Sequence, residues 1–198
     1  MMKNYERYKN VTAEQYDKKT ALYYLCRQPS DKKILPIIDG IKNANVLDVG
    51  IGTGYYATMF MKDNRVTGLD INPHLCRLPV KVYEGDATGL SNLIKDRFDI
   101  VFSAWMTEYL NGEQLNQFFS EAKKTLNENG RLLTTVISSN GVGWLYVTAA
   151  GLVRNIQKYS YRPADVRERL IAAGFHDIKI MKLRARLGMP WAYLVDAK

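Results

Sequence analysis

Three glycines alternate through Asp48-Val49-Gly50-Ile51-Gly52-Thr53-Gly54, directly after the apolar run that starts at Val46. That spacing lets a backbone turn sharply at a strand end and approach a ligand closely. Asp48 stands two residues ahead of the first glycine. A carboxylate there repels a pyrophosphate, but it accepts hydrogen bonds from an amino group or orders water around one. The dinucleotide fingerprint puts two residues between its last two glycines, whereas Gly52 and Gly54 are separated by one. Spacing and acid together disfavour NAD and favour a ligand with a cationic, amino-acid-like end. The competing reading is a glycine turn used only for packing.

Asp70, in Gly68-Leu69-Asp70-Ile71-Asn72, follows the first glycine by about twenty residues, the offset of an acid that holds a ribose diol. It also suits the N-cap of a turn opened by Pro73. Glu84-Gly85-Asp86-Ala87 forms a third acidic turn, where a carboxylate can accept the exocyclic amino group of an adenine or simply cap a turn. Phe98-Asp99-Ile100-Val101-Phe102-Ser103-Ala104-Trp105 is a strand whose exit lies beside the same ligand, with Asp99 in a structural role.

The elements that must carry these groups alternate. Residues 12–28 read as a helix with Tyr16, Leu22, Tyr23 and Leu25 on its apolar side, broken at Pro29-Ser30, and a short helix follows over 31–41. Strands are expected at 46–49, 65–69, 80–83, 98–103 and 131–137, with helices over 55–62, 89–96 and 111–127 between them. This alternation implies an α/β fold, a parallel sheet covered by helices on both faces. Ligands of such sheets bind beyond the carboxyl ends of the strands, which selects residues 50–54, 70–72, 85–87 and 103–109. An irregular, aromatic segment spans 138–162. A helix opens at Pro163 and closes before Gly174, and two antiparallel strands, 175–183 and 190–195, end the chain.

Together these motifs resemble the class I S-adenosylmethionine-dependent methyltransferases, in particular their small-molecule group. VLDVGIGTG (46–54), GLDIN (68–72), EGDA (84–87), FDIVFSAW (98–105), LNENGRLL (126–133) and AGF (173–175) carry the likeness, which covers about residues 45–197. The resemblance implies a seven-stranded sheet in the order 3-2-1-4-5-7-6, the last strand antiparallel. It divides the single domain into a helical N-terminal lid (1–44), a cofactor-binding core (45–137), a substrate cap (138–162) and a C-terminal helix with a strand pair (163–198). S-adenosyl-L-methionine would be the cofactor and S-adenosyl-L-homocysteine the product. Asp48 and the loop of Gly50, Ile51, Gly52 and Gly54 would hold the methionine part. Asp70 and Ile71 would hold the ribose, Asp86 and Ala87 the adenine, and Ser103 would line the amino-acid end. Tyr16-Asp17 matches a lid pair of the small-molecule members only in type.

Methyl transfer from a sulfonium is an in-line displacement, for which proximity and alignment supply about 7–11 kcal/mol. An amine or phenol acceptor also needs a base. Glu108, Tyr109, Tyr16 and His74 are the candidates, His74 and Glu108 reading otherwise as solvated helix-start residues. Tyr16, Trp105, Trp144 and Tyr146 are the expected substrate contacts, and the aromatic cap favours an apolar or aromatic acceptor. Ser103-Ala104-Trp105-Met106 is not an Asn-Pro-Pro-Tyr motif, there is no Pro-Cys pair, and no Lys-Asp-Lys-Glu set is assignable. These absences argue against the usual DNA-amino, cytosine-C5 and RNA-ribose enzymes and leave a small-molecule acceptor.

The formal net charge of +8 keeps two alternatives open. Residues 1–45 hold nine basic and five acidic residues, 46–140 nine and eleven, and 141–198 ten and four, so the positive charge sits at the flanks. An RNA methyltransferase or RNA-binding protein would use it through Arg154, Lys158, Arg162, Arg167 and Arg169, which read otherwise as a solvated face. A protein of this fold that binds the cofactor without transferring methyl is the second alternative. Cys26 and Cys76 fit neither a disulfide framework nor a zinc site, so no metal is expected and both read as reduced thiols of a cytoplasmic protein. The first fifteen residues hold no apolar run of a signal peptide, and the longest apolar stretch (143–153) is too short to span a membrane.

Overall fold

Val46, Leu47 and Val49 are completely buried in strand β1 (Asn45–Val49), as expected of a central parallel strand covered on both faces. The structure is a computed structural model that describes residues 8, 11–14, 23–154 and 157–198. Six further strands follow: β2 (Arg65–Asp70), β3 (Lys81–Glu84), β4 (Phe98–Ser103), β5 (Leu126–Ile137), β6 (Lys179–Arg184) and β7 (Pro190–Ala197). They form one sheet in the order β3-β2-β1-β4-β5-β7-β6. β1 pairs in parallel with β2 and β4, and β7 runs antiparallel to both β5 and β6. This is the expected order and orientation.

The described helices are α1 (Gln28–Asp39), α2 (Tyr55–Phe60), α3 (Leu90–Leu93), α4 (Gly112–Thr125), α5 (Val142–Arg154) and α6 (Pro163–Ala172), besides shorter turns. A capping box starts α4: the Asn111 side chain accepts the Gln114 N–H, and the Gln114 side chain accepts the Asn111 N–H. Its Leu115, Phe118, Phe119 and Ala122 form one fully buried stripe. That stripe packs with Val166 and Leu170 of α6 on one face of the sheet. Ile34 and Ile38 of α1, with Tyr56 and Phe60 of α2, pack on the other face together with Trp191. Each such large apolar side chain contributes about 1.5–3 kcal/mol by burial. The register Val49↔Leu69 and Asp70↔Glu84 brings the carboxyl ends of β1, β2 and β3 level, which sets the three acidic turns side by side.

Several boundaries differ from the expectation. Pro29 does not break a helix: it occupies the first turn of α1, where a missing N–H costs nothing, and a π-helical turn (Tyr23–Arg27) runs straight into it. The expected helix over 12–28 falls partly on residues 15–22, outside the described residues. The α4 helix stops at Thr125, and Leu126 is already extended and paired with Phe98. The cap segment is not irregular throughout, because Val142–Arg154 is helical. Gly143 is required there: a Cβ would lie 2.3 Å from the Ser138 carbonyl oxygen and 2.4 Å from that of Trp191.

Candidate functional site

The glycine loop closes the end of β1 through its backbone. Gly50, Gly52 and Gly54 have φ of 77°, 53° and 87°, the left-handed region that glycine enters freely. The Gly50 and Ile51 amides both donate to the Leu69 carbonyl, at 2.7 and 3.2 Å. A side chain at Gly50 would meet Met106 at 2.8 Å, and one at Gly54 would meet Leu78 at 2.4 Å. The loop therefore forms a shallow cradle of backbone over which Met106 and Leu78 already pack closely.

Two buried carboxylates flank the cradle. Asp70 accepts the Gly52 amide at 2.8 Å on one oxygen and the Asn72 amide at 2.8 Å on the other. Burial pushes its carboxyl up, against the pull of these amides and that of Ile71. Asp48 is fully enclosed at the end of β1, and burial, then the charge of Asp70, pushes its carboxyl up to about 8. A cationic group beside Asp48 would favour the charged carboxylate against both causes. Asp86 caps the turn that holds Ala87, accepting the Thr88 amide at 2.8 Å and the Thr88 hydroxyl at 2.7 Å. Ala87 is buried. Ser103, at the end of β4, is completely buried, and its hydroxyl has no hydrogen-bond partner among the described residues.

The chain beyond β4 builds a second cluster. Trp105 has φ of 60°, which for so bulky a residue costs about 1–3 kcal/mol. Several contacts hold it there. Its amide donates to the Thr135 hydroxyl at 2.8 Å, and its indole N–H donates to the Tyr56 hydroxyl at 2.9 Å. Its ring stacks on Trp191 with centroids 4.8 Å apart. Tyr56 in turn donates to Asp31 at 2.7 Å, and Tyr55 donates to the same carboxyl at 3.1 Å. Trp105 thus belongs to a buried network, whereas an accessible substrate contact was expected.

Glu108 is not a solvated helix-start acid. It is 1% exposed, and its Oε1 accepts the Tyr146 hydroxyl at 3.1 Å and the Lys158 ammonium at 3.0 Å, with Arg27 Nη2 at 3.6 Å. The Lys158 ammonium also lies 4.5 Å from the ring centre of Tyr109 and 4.4 Å from that of Tyr146, and it donates to the Tyr146 hydroxyl. Burial pulls Lys158 down, but Glu108 and the two tyrosines outweigh it and push its pKa up. Burial and then Glu108 push the Tyr146 hydroxyl up.

Of the remaining expected residues, Tyr16 lies outside the described residues. His74 is exposed on the turn Pro73–Leu75. Tyr109 is exposed at the rim, and Trp144 on α5 is 53% exposed. Among the cations read as a solvated face, Lys158 is buried and Arg169 donates to the Gly112 carbonyl at 2.7 Å. Arg167 donates to the Ile178 carbonyl at 3.0 Å and Arg162 pairs with Asp165. The Arg154 side chain lies outside the described residues. Sequence reasoning did not anticipate Asp31, Arg27 or Trp191, and it placed Lys158 only on a surface. Their partners lie far off in sequence, so no local pattern could have found them. Among the described residues no cluster of His, Cys, Asp and Glu could hold a metal, and no helix is long and apolar enough to cross a membrane.

Residues 47–134, which contain the glycine loop and all three acidic turns, match the family model described as a methyltransferase domain. The chain carries a methyltransferase domain. No curated protein matches it by sequence. The sheet order and flanking helices of this domain recur in solved methyltransferase structures. One is a possible histamine N-methyltransferase from Thermotoga maritima, 13% identical, with a TM-score of 0.75 and all of both chains covered. Another is DhpI in complex with SAM and HEP, 16% identical, with a TM-score of 0.75, over 100% of this chain and 97% of that one. A third is the magnesium protoporphyrin IX methyltransferase of Synechocystis PCC 6803, solved with SAH: 14% identical, TM-score 0.70, over 99% and 93%. At these identities the likeness is one of fold, the Rossmann-like methyltransferase fold.

Proposed function

We propose that this methyltransferase domain uses S-adenosylmethionine to methylate a small organic acceptor. The observation that carries the reading is the pair of buried carboxylates, Asp48 and Asp70, beside a loop whose three glycines all take left-handed backbone. S-adenosylmethionine, the methyl donor, supplies an activated methyl group on a sulfonium. Asp48 and the loop of Gly50, Ile51, Gly52 and Gly54 take its methionine ammonium and carboxylate. Asp70, whose carboxylate has lone pairs beyond the two amides it accepts, takes the ribose hydroxyls beside Ile71. Asp86 and Ala87 take the adenine edge. The unpartnered Ser103 hydroxyl supplies a donor or acceptor at the amino-acid end.

The acceptor enters from the side of the 103–109 turn, the N-terminal lid and the cap. Asn72, two residues after Asp70, donates from its side chain to the carbonyls of Tyr8 at 3.0 Å and Val11 at 3.2 Å, which supports a lid that crosses the donor site. Lys158 is buried against Glu108 and Arg169 is engaged with the Gly112 carbonyl, so these two cations give the nucleic-acid alternative no support. The cytoplasm is the compartment that this reading favours. Incubation with the donor labelled in its methyl carbon, together with a small-molecule extract and with total RNA, tests the proposal. Label should appear in the small-molecule fraction. Label confined to RNA would replace the acceptor class, and no release of label from any mixture would leave a cofactor-binding protein.

A further inference from the structure

One oxygen of Glu108 is crowded and the other is bare. Oε1 takes the Tyr146 hydroxyl, the Lys158 ammonium and the nearby Arg27 guanidinium. Oε2 is completely buried and has no hydrogen-bond partner among the described residues. A buried carboxylate oxygen without a donor costs free energy that a ligand with an N–H or O–H would recover. Three groups on one oxygen also fix the direction in which the other points. Glu108 lies two residues beyond Met106, whose side chain lies against Gly50 of the cradle. Glu108 therefore stands on the turn that follows the residue packed against Gly50.

We propose that Glu108 receives the proton of the methyl acceptor, which makes that acceptor a protic nucleophile, an amine or a hydroxyl. The inference rests on the donor reading given above. The acceptor, neutral at its reacting atom, hydrogen-bonds to Oε2 through its N–H or O–H. Its lone pair forms the bond to the methyl carbon. The carbon–sulfur bond breaks with its electron pair left on sulfur, so the sulfonium becomes a neutral thioether. The proton released from nitrogen or oxygen passes to Oε2, and the carboxylate becomes a carboxylic acid. Charge balances, since one cation and one anion give neutral products.

Neighbouring groups do not compete for this task. Lys158 keeps its ammonium, held by Glu108 and by the faces of Tyr109 and Tyr146, and has no lone pair to offer. Tyr146 keeps its phenolic proton and donates it to Oε1. Both are positioning residues: they orient Glu108.

The test uses the full chain, wild type, Glu108→Gln and Glu108→Asp. S-adenosylhomocysteine affinity is measured first for each. Conversion of S-adenosylmethionine to S-adenosylhomocysteine is then followed with phenethylamine and phenol as protic probes and dimethyl sulfide as an aprotic one. Turnover is expected with a protic probe. It should fall by about a hundredfold or more in E108Q, the size of a general-base contribution, while homocysteine-nucleoside affinity changes by about twofold or less. E108D, which keeps the charge, should exceed E108Q. Equal turnover of wild type and E108Q would overturn the proposal. So would turnover with dimethyl sulfide alone, or tight nucleoside binding without turnover on either protic probe. Failure of the wild type to bind S-adenosylhomocysteine at all is a different result: it removes the donor reading itself.

Discussion

The carboxylate of Asp70, at the end of β2, accepts the backbone N–H of Gly52, in the loop that follows β1, at 2.8 Å. An acid assigned to a ribose thus also holds the neighbouring cradle in shape. Two strands that pair only through their backbones are tied together at the point where a ligand would sit. Its second oxygen does the same for the turn that follows, through Asn72.

Asp70→Ala removes both roles. Donor affinity should drop at least tenfold by calorimetry. Stability should drop by about 1–3 kcal/mol, the cost of leaving buried amides unpaired, read from urea unfolding. Unchanged affinity would refute the ribose assignment.

Asp48 predicts a pH dependence. Its carboxyl titrates near 8 in the folded protein and near ~3.9 in the unfolded chain. Between those values the folded state holds a proton that the unfolded chain has released. On this group's account, stability falls as pH rises from about 4 to about 8 and then levels. The donor's ammonium prefers the ionised carboxylate, so affinity should rise by up to about tenfold from pH 6 to pH 7 as the linked proton leaves. Asp48→Asn should flatten both slopes, in urea midpoints and in titrations at the two pH values.

Trp105→Ala opens a cavity beside Trp191 and takes a donor from Tyr56, at a cost of about 3–5 kcal/mol. Thermal unfolding should register the loss without donor bound. A variant as stable as the wild type would mean that Trp105 is not part of the buried network.

Trp144→Ala, on the exposed face of α5, should weaken acceptor binding and leave stability within about 0.5 kcal/mol, as for other surface changes. Donor affinity should hardly move. Equal loss of donor and acceptor binding would make Trp144 a packing residue.

The glycine loop with its acidic neighbours was legible because it is local. Asp48, Gly50, Gly52 and Gly54 lie in one loop, and the alternation of strands with helices was enough to place Asp70 and Asp86 beside it. The cluster around Glu108 is assembled from distance. Glu108 and Lys158 meet across fifty residues, and neither has a neighbour in sequence that signals the other. The α5 helix falls in a segment that reads as irregular, and the missing side chain of Gly143 is what lets it approach Ser138 and Trp191. Pro29 misled in the same way, since proline ends a helix from within but suits its first turn.

The central claim is that the cradle between Asp48 and Asp70 holds the methyl donor. The most direct measurement is a calorimetric titration of the full chain with S-adenosylhomocysteine near neutral pH, with NAD as the control nucleotide. Saturable binding at one site per chain, with none for NAD, is the expected result. No saturable binding of S-adenosylhomocysteine, or binding of NAD in its place, would contradict the account.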